Sequence, residues 1–216
     1  MMRYDRRIRA LAVCFSCVAG YVDAVGFLLT GGFFVSFMSG NSTRLGIGVA
    51  QNTSDAAFAA VLIVTFVLGV MLGTVFGRLA GHHRRPAVLG LVTILLAAAL
   101  LLSWTAEGVF IVIPMVLAMG AENTVFAEDG EVRIGLTYMT GTLVKLGKRL
   151  TAAFLGGDRY GWAPYLLLWT GLLAGAVGGA LAYVAFGVNA LVGAVGVMAT
   201  LTTITIVIGP DLKPGA

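Results

Sequence analysis

Charge is scarce in this chain. Only 11% of its 216 residues are Asp, Glu, Lys or Arg, while 59% are hydrophobic; a soluble domain carries about 25% charge. So few charges cannot keep the surface of a globule wet, and so much apolar content excludes a disordered chain. Cysteine is rarer still. Cys14 and Cys17 both lie inside the first apolar run, which excludes a secreted disulfide framework. The two histidines, His82 and His83, sit among arginines, so no apolar span holds a histidine to serve as a base. Neither G-x-S-x-G nor H-E-x-x-H occurs, and Ser39 and Ser42 have no activator. These absences speak against an enzyme and give no reason to expect a cofactor or a metal. No segment is long and polar enough for a separate soluble domain. The net charge of +4 comes from basic residues beside apolar runs, where they orient helices and say little about nucleic acid.

What the chain does have is apolar length. A bilayer-spanning helix needs about 20 apolar residues. Six runs meet that requirement, at about 10–29, 56–80, 86–104, 109–127, 163–186 and 189–208. The first follows a basic N-terminus and runs on to Leu29 without a small-x-small cleavage site, so it reads as a retained helix and not a signal peptide. Two further segments, 33–50 and 134–153, are apolar but interrupted by polar residues.

Those two segments carry an internal repeat. Met38-Ser39-Gly40-Asn41 matches Met139-Thr140-Gly141-Thr142, and Arg44-Leu45-Gly46 matches Lys145-Leu146-Gly147. Gly20 and Asp23 match Gly120 and Asn123. Gly69, Gly73 and Gly77 match Gly171, Gly175 and Gly179. The chain reads as a single membrane domain over residues 1–216, made of two copies, about 10–104 and 109–208.

Charge placement sets the number of crossings. With a cytoplasmic N-terminus and neither interrupted segment crossing, every Lys and Arg except Arg44 falls on the cytoplasmic side, as the positive-inside rule asks. If both segments crossed, Arg84 and Arg85 would move outside. The expected fold is therefore all-α: six transmembrane helices plus two re-entrant half-helices, with both termini cytoplasmic. Three crossings per copy give an inverted 3+3 repeat, an architecture that transporters use with broken helices meeting near the midplane.

The interrupted segments carry the expected site. Gly31-Gly32, Gly40 and Gly141 are read as turn formers, and Ser39, Asn41 and Thr140 as N-cap types. Half-helices starting near 40 and 141 would aim N–H groups and positive dipole ends inward. The solute-binding residues expected on this reading are Ser39, Gly40, Asn41, Arg44, Asn123, Thr140, Gly141, Thr142 and Lys145. Asp23 and Glu122 are carboxyls within apolar spans, and each is expected to bind a proton or couple an ion. Asp23→Asn is accordingly expected to abolish proton-coupled uptake. The glycine ladders are expected to pack spans two and five on each other or on the interrupted segments.

The stretches GYVDAVGF, FVSFMSGNSTRLG, MGAEN and YMTGTLVKLG together resemble the YoaK-type family of small bacterial inner-membrane proteins. That resemblance implies about six spans and a place in the bacterial inner membrane. It supplies no substrate and no catalytic residues. The family pattern has Gln-Asn where this chain has Glu122-Asn123.

The function expected is a small secondary transporter or channel for a small polar or anionic solute, held between the half-helix ends. The lipid bilayer and that solute are the expected partners. A six-span bundle is thin, so a homodimer stays open. The alternative is a non-transporting sensor, lipid-binding or assembly protein in which Arg44 and Asp23 merely neutralise each other.

Overall fold

The computed structural model describes residues 6–105, 108–128, 131–132 and 135–208. Eight α-helices follow in order: α1 (Arg6–Leu29), α2 (Met38–Gln51), α3 (Asp55–Leu79), α4 (Arg84–Leu102), α5 (Val109–Glu122), α6 (Met139–Phe154), α7 (Ala163–Phe186) and α8 (Leu191–Ile208). A two-residue antiparallel ladder, Ala127–Glu128 on Glu131–Val132, lies between α5 and α6.

Each apolar run of the sequence becomes a helix, since a chain in lipid must satisfy its backbone within the segment. Four stretches are long and apolar enough to cross a membrane: Arg7–Leu29, Asp55–Leu79, Gly81–Leu102 and Ala163–Val207. The last is 45 residues long and contains both α7 and α8, joined at Gly187. That glycine has φ +59, a conformation open to glycine at little cost. The chain is a multi-pass membrane protein, and its outward faces fit lipid: Val64, Met71, Ile94, Val184 and Val207 are all more than half exposed.

Run four is shorter as a helix than the hydropathy suggests. α5 ends at Glu122, and hydrogen-bonded turns replace the helix from there: Thr124 N–H to Ala121 O at 2.9 Å and Val125 N–H to Glu122 O at 3.1 Å. The reason is polar and local. Asn123 and Thr124 spend their side chains on the backbone, Asn123 Nδ2 donating to Met119 O and Thr124 Oγ1 to Ala121 O, an alternative to the helix ladder.

The helices pack in exchanged partnerships. α1 lies chiefly against α7, and α3 against α5; α4 packs on α5 and on α8, while α2 lies on α3 and α6 on α7. Glycines mark both main crossings. A Cβ on Gly20 would strike Leu172 O, and one on Gly175 or Gly179 would strike Cys17 O or Tyr21 O. On the other side, a Cβ on Gly120 would strike Phe66 O, and one on Gly69 would strike Leu117 O. Small residues at such points let backbones approach in lipid, where dispersion and weak polar contacts hold helices together. Runs two and five were expected to pack on each other or on the interrupted segments: α3 does lie on α2 and α7 on α6, while the ladders themselves seat α5 and α1 respectively. A ladder signals a close partner but does not name it.

Candidate functional site

α1 ends at a double glycine. Gly31 and Gly32 have φ +68 and +121, and Thr30 Oγ1 ties the turn by donating to Gly26 O at 2.8 Å and accepting the Phe33 N–H at 3.0 Å. The chain then runs through non-helical residues 33–37 before α2 begins. Non-helical backbone away from water needs partners, and two side chains provide them. Asp23 Oδ1 accepts the N–H groups of Val35 and Ser36, each at 2.8 Å. Asn41, fully buried, grips Phe34 at both ends, taking its N–H on Oδ1 at 3.0 Å and giving Nδ2–H to its carbonyl at 2.7 Å.

The second half repeats this device in weaker form. Asn123, 2% exposed, accepts the Thr137 hydroxyl at 3.1 Å. Thr137 occupies the position that matches Ser36. Ser16 also reaches this loop, its hydroxyl lying 3.2 Å from both Leu136 O and Leu168 O.

Held this way, the two M-[ST]-G starts face a common space. An open cavity of about 240 Å³ is lined by Ser36, Phe37, Met38 and Ser39 from the first copy and by Thr137, Tyr138, Met139, Thr140 and Gly141 from the second, with Phe66 of α3. Among the described residues, no charged side chain lines it. Hydroxyls, two thioethers and aromatic rings do. Of the first-turn N–H groups, those of Gly40 and Met139 are spent on Phe37 O and Thr137 O; those of Ser39 and Thr140 are the helix-start donors left to this wall.

Several expected site residues therefore stand elsewhere. Ser39, Thr140 and Gly141 line the cavity. Asn41 and Asn123 do not; they hold the loops that shape it. Thr142 is buried and donates to Tyr138 O of its own helix at 3.2 Å. Gly40 lies under the Phe37 and Phe34 rings. Arg44 stacks over the Phe33 ring, 4.6 Å from its centroid, and the exposed Lys145 is outside the lining. The N-cap reading is corrected as well. The cap positions are Phe37 and Tyr138, neither with a side-chain cap bond, so Ser39, Asn41 and Thr140 sit inside the first helical turns. Of the glycines read as turn formers, Gly31 and Gly32 turn the chain, while Gly40 and Gly141 are helical.

The two carboxyls differ. Asp23 is half-buried with one oxygen committed to the 35–36 backbone. Glu122 is 0% exposed, and neither of its oxygens has a hydrogen-bond partner among the described residues.

Cavity residues that the sequence reading passed over are Ser36, Phe37, Thr137 and Tyr138. Their signal was present: extending the M-[ST]-G match upstream pairs Ser36 with Thr137 and Phe37 with Tyr138. Phe66 had no such signal, since it enters from a different helix.

The latch makes a prediction. Asp23→Ala leaves two N–H groups without their acceptor, at about 1–3 kcal/mol, whereas Asp23→Asn keeps an oxygen in place. Thermal unfolding in detergent should show the alanine variant melting well below the asparagine one. Equal melting of the two would remove the latch role.

Comparison with known proteins agrees that the chain is a membrane protein. The family described as "Protein of unknown function (DUF1275)" matches residues 11–204. A UPF0700 transmembrane protein of Rhizobium meliloti (strain 1021) is 38% identical over 172 residues, covering 80% of this chain and 74% of its own. The UPF0700 transmembrane protein YoaK of Bacillus subtilis (strain 168) is 29% identical over 136 residues, covering 59% of this chain and 60% of its own. No solved structure matches. The chain thus belongs to the DUF1275 family, among relatives named as transmembrane proteins.

Proposed function

We propose that this protein is a small transporter or channel of the bacterial inner membrane, passing a small polar or anionic solute through the space between α2 and α6. The observation that carries this reading is the cavity at which the two M-[ST]-G helix starts converge. Two helix N-termini and the hydroxyls of Ser39 and Thr140 suit acceptor atoms on a solute. With no cation among the described residues of the wall, a neutral polar solute or a singly charged anion fits better than a multivalent one.

In this reading α1, α3, α4, α5, α7 and α8 cross the membrane and both termini are cytoplasmic. α2 and α6, of 14 and 16 residues, are interrupted by Arg44 and by Lys145, Lys148 and Arg149, and so dip in without crossing; α5, also 14 residues, is apolar up to Glu122 and is continued by hydrogen-bonded turns to Val125. The two copies are inverted. Exchanged packing supports this: swapping the copies maps α1 on α7 onto α5 on α3, and α4 on α8 onto itself. The glycine crossings exchange in the same way. Coupling to protons falls to Glu122, whose enclosed carboxyl has both oxygens unspent. The chemistry is passage and not covalent change. A second copy would close the open side of the cavity, and the mass of the purified particle tests that pairing. Arg44 engages Phe33 and not Asp23, which weighs against the non-transporting alternative.

The test is a thermal-shift screen of the purified protein against organic anions, nucleobases and amino acids, followed by uptake into liposomes. A solute that binds the folded state raises its melting temperature. Thr140→Leu, which narrows the cavity, should cut uptake of that solute to roughly a tenth or less and erase the shift. Uptake that survives both Thr140→Leu and Ser39→Leu would place the path elsewhere.

A further inference from the structure

A second cavity lies on the other side of the 33–37 loop, between α1 and α7. It measures about 220 Å³ and is lined by Gly20, Asp23, Ala24, Phe27, Leu28, Phe34, Leu172 and Ala180. Among the described residues of that lining, Asp23 is the one ionisable group and the others are apolar. The Phe27 and Phe34 rings stand 4.8 Å apart at a tilt of 43°, and Phe34 is fixed by both bonds from Asn41. One carboxylate beside two rings with negative faces is the recognition chemistry of an alkylated ammonium: the carboxylate takes the charge, and the rings add cation–π attraction and apolar contact. The double N–H latch on Oδ1 holds the carboxyl in place, so its position costs nothing further when a ligand arrives.

We propose that the groove formed by Asp23, Phe27 and Phe34 binds an ammonium group carried on a small apolar body. The site is separate from the α2–α6 cavity, and it stands whether or not a solute passes there. The ammonium can belong to a free amine or to the headgroup of an ethanolamine lipid; both present the same cation to the same carboxylate.

Calorimetric titration of the full chain in detergent tests the proposal with 2-phenylethylammonium and its neutral counterpart 2-phenylethanol. The ammonium should bind at least tenfold more tightly than the alcohol. Asp23→Asn, which keeps an oxygen for the latch, should remove that preference. Ala24→Leu fills the groove without touching the carboxyl and should weaken both probes. Equal binding of the two probes, or an unchanged preference in Asp23→Asn, overturns the proposal; so does full affinity in Ala24→Leu, which remains informative if the asparagine variant fails to fold. Repeating the titration in nanodiscs separates the sources. Weaker apparent affinity in phosphatidylethanolamine than in an uncharged glycolipid, which has no ammonium and no net surface charge, identifies the headgroup as occupant, and equal affinity identifies a free amine.

Discussion

Gly175→Ala is expected to cost about 3 kcal/mol or more, a large share of the ~5–15 kcal/mol that holds a typical domain together. A Cβ at this position falls on the carbonyl oxygen of Cys17. The obstacle is backbone on a packed helix and cannot rotate away. To admit the methyl group, α1 and α7 must move apart along their whole crossing, which also carries Gly20, Gly171 and Gly179. Gly120→Ala should cost a similar amount at the α3–α5 crossing, where the opposing atoms are Phe66 O and Val70 N. Gly90 and Gly196 supply the control. Both are helical with nothing within 4 Å of a built Cβ, so alanine there should be neutral or gain up to about 1 kcal/mol from helix propensity. Melting of the detergent-solubilised variants, followed by size-exclusion recovery, measures the contrast. A Gly175→Ala protein that melts with the parent would mean that the two backbones do not approach as described.

Glu122→Leu is expected to do the opposite. Glu122 is fully enclosed, among neighbours in sequence that are equally buried: Met115, Ala118, Met119 and Ala121 are all 0% exposed. Its two oxygens have no hydrogen-bond partner among the described residues. A buried polar group without partners costs about 1–3 kcal/mol, and an apolar residue of similar size removes that cost. For a chain of this length the gain corresponds to a rise of roughly 2–12 °C in melting temperature. A group that weakens the fold and is nevertheless present is what a stability–function trade-off produces. The same variant should therefore lose any dependence of uptake on a proton gradient, and Glu122→Gln should lose it too while gaining little stability. Glu122→Leu that melts lower than the parent would show that the carboxyl has a partner and would take proton coupling from it.

Much of the fold was legible in the sequence. The six apolar runs and the two interrupted segments became the eight helices, with ends shifted by a few residues. Length and composition suffice because lipid leaves a spanning chain few options. Partnership was less legible. The ladder at Gly171, Gly175 and Gly179 announces a close neighbour, but its complement on α1 is a lone Gly20, which no periodicity marks. The interrupted segments were legible as breaks in helix, and the contacts of their side chains were not. Asp23 in an apolar span reads as an ion carrier; the structure adds a contact that reading lacks, Asp23 Oδ1 latching Val35 and Ser36. That contact depends on the reversal at Gly31-Gly32, and only with both glycines at positive φ does residue 35 return to residue 23. Asn41 was misread for the same reason: its amide turns back on Phe34 within the loop instead of facing the cavity.

The proposed function has two inverted copies whose helix starts meet from opposite faces, and side-specific labelling tests that inversion most directly. With Cys14 and Cys17 replaced by alanine, single cysteines are introduced at Thr53, just past α2, and at Asp158, just past α6; both positions are exposed. A membrane-impermeant maleimide applied to intact spheroplasts should label Thr53→Cys at once and Asp158→Cys only after permeabilisation. Labelling of both positions from the same side would mean that α2 and α6 cross the bilayer completely, and the account of two opposed half-helices would be wrong.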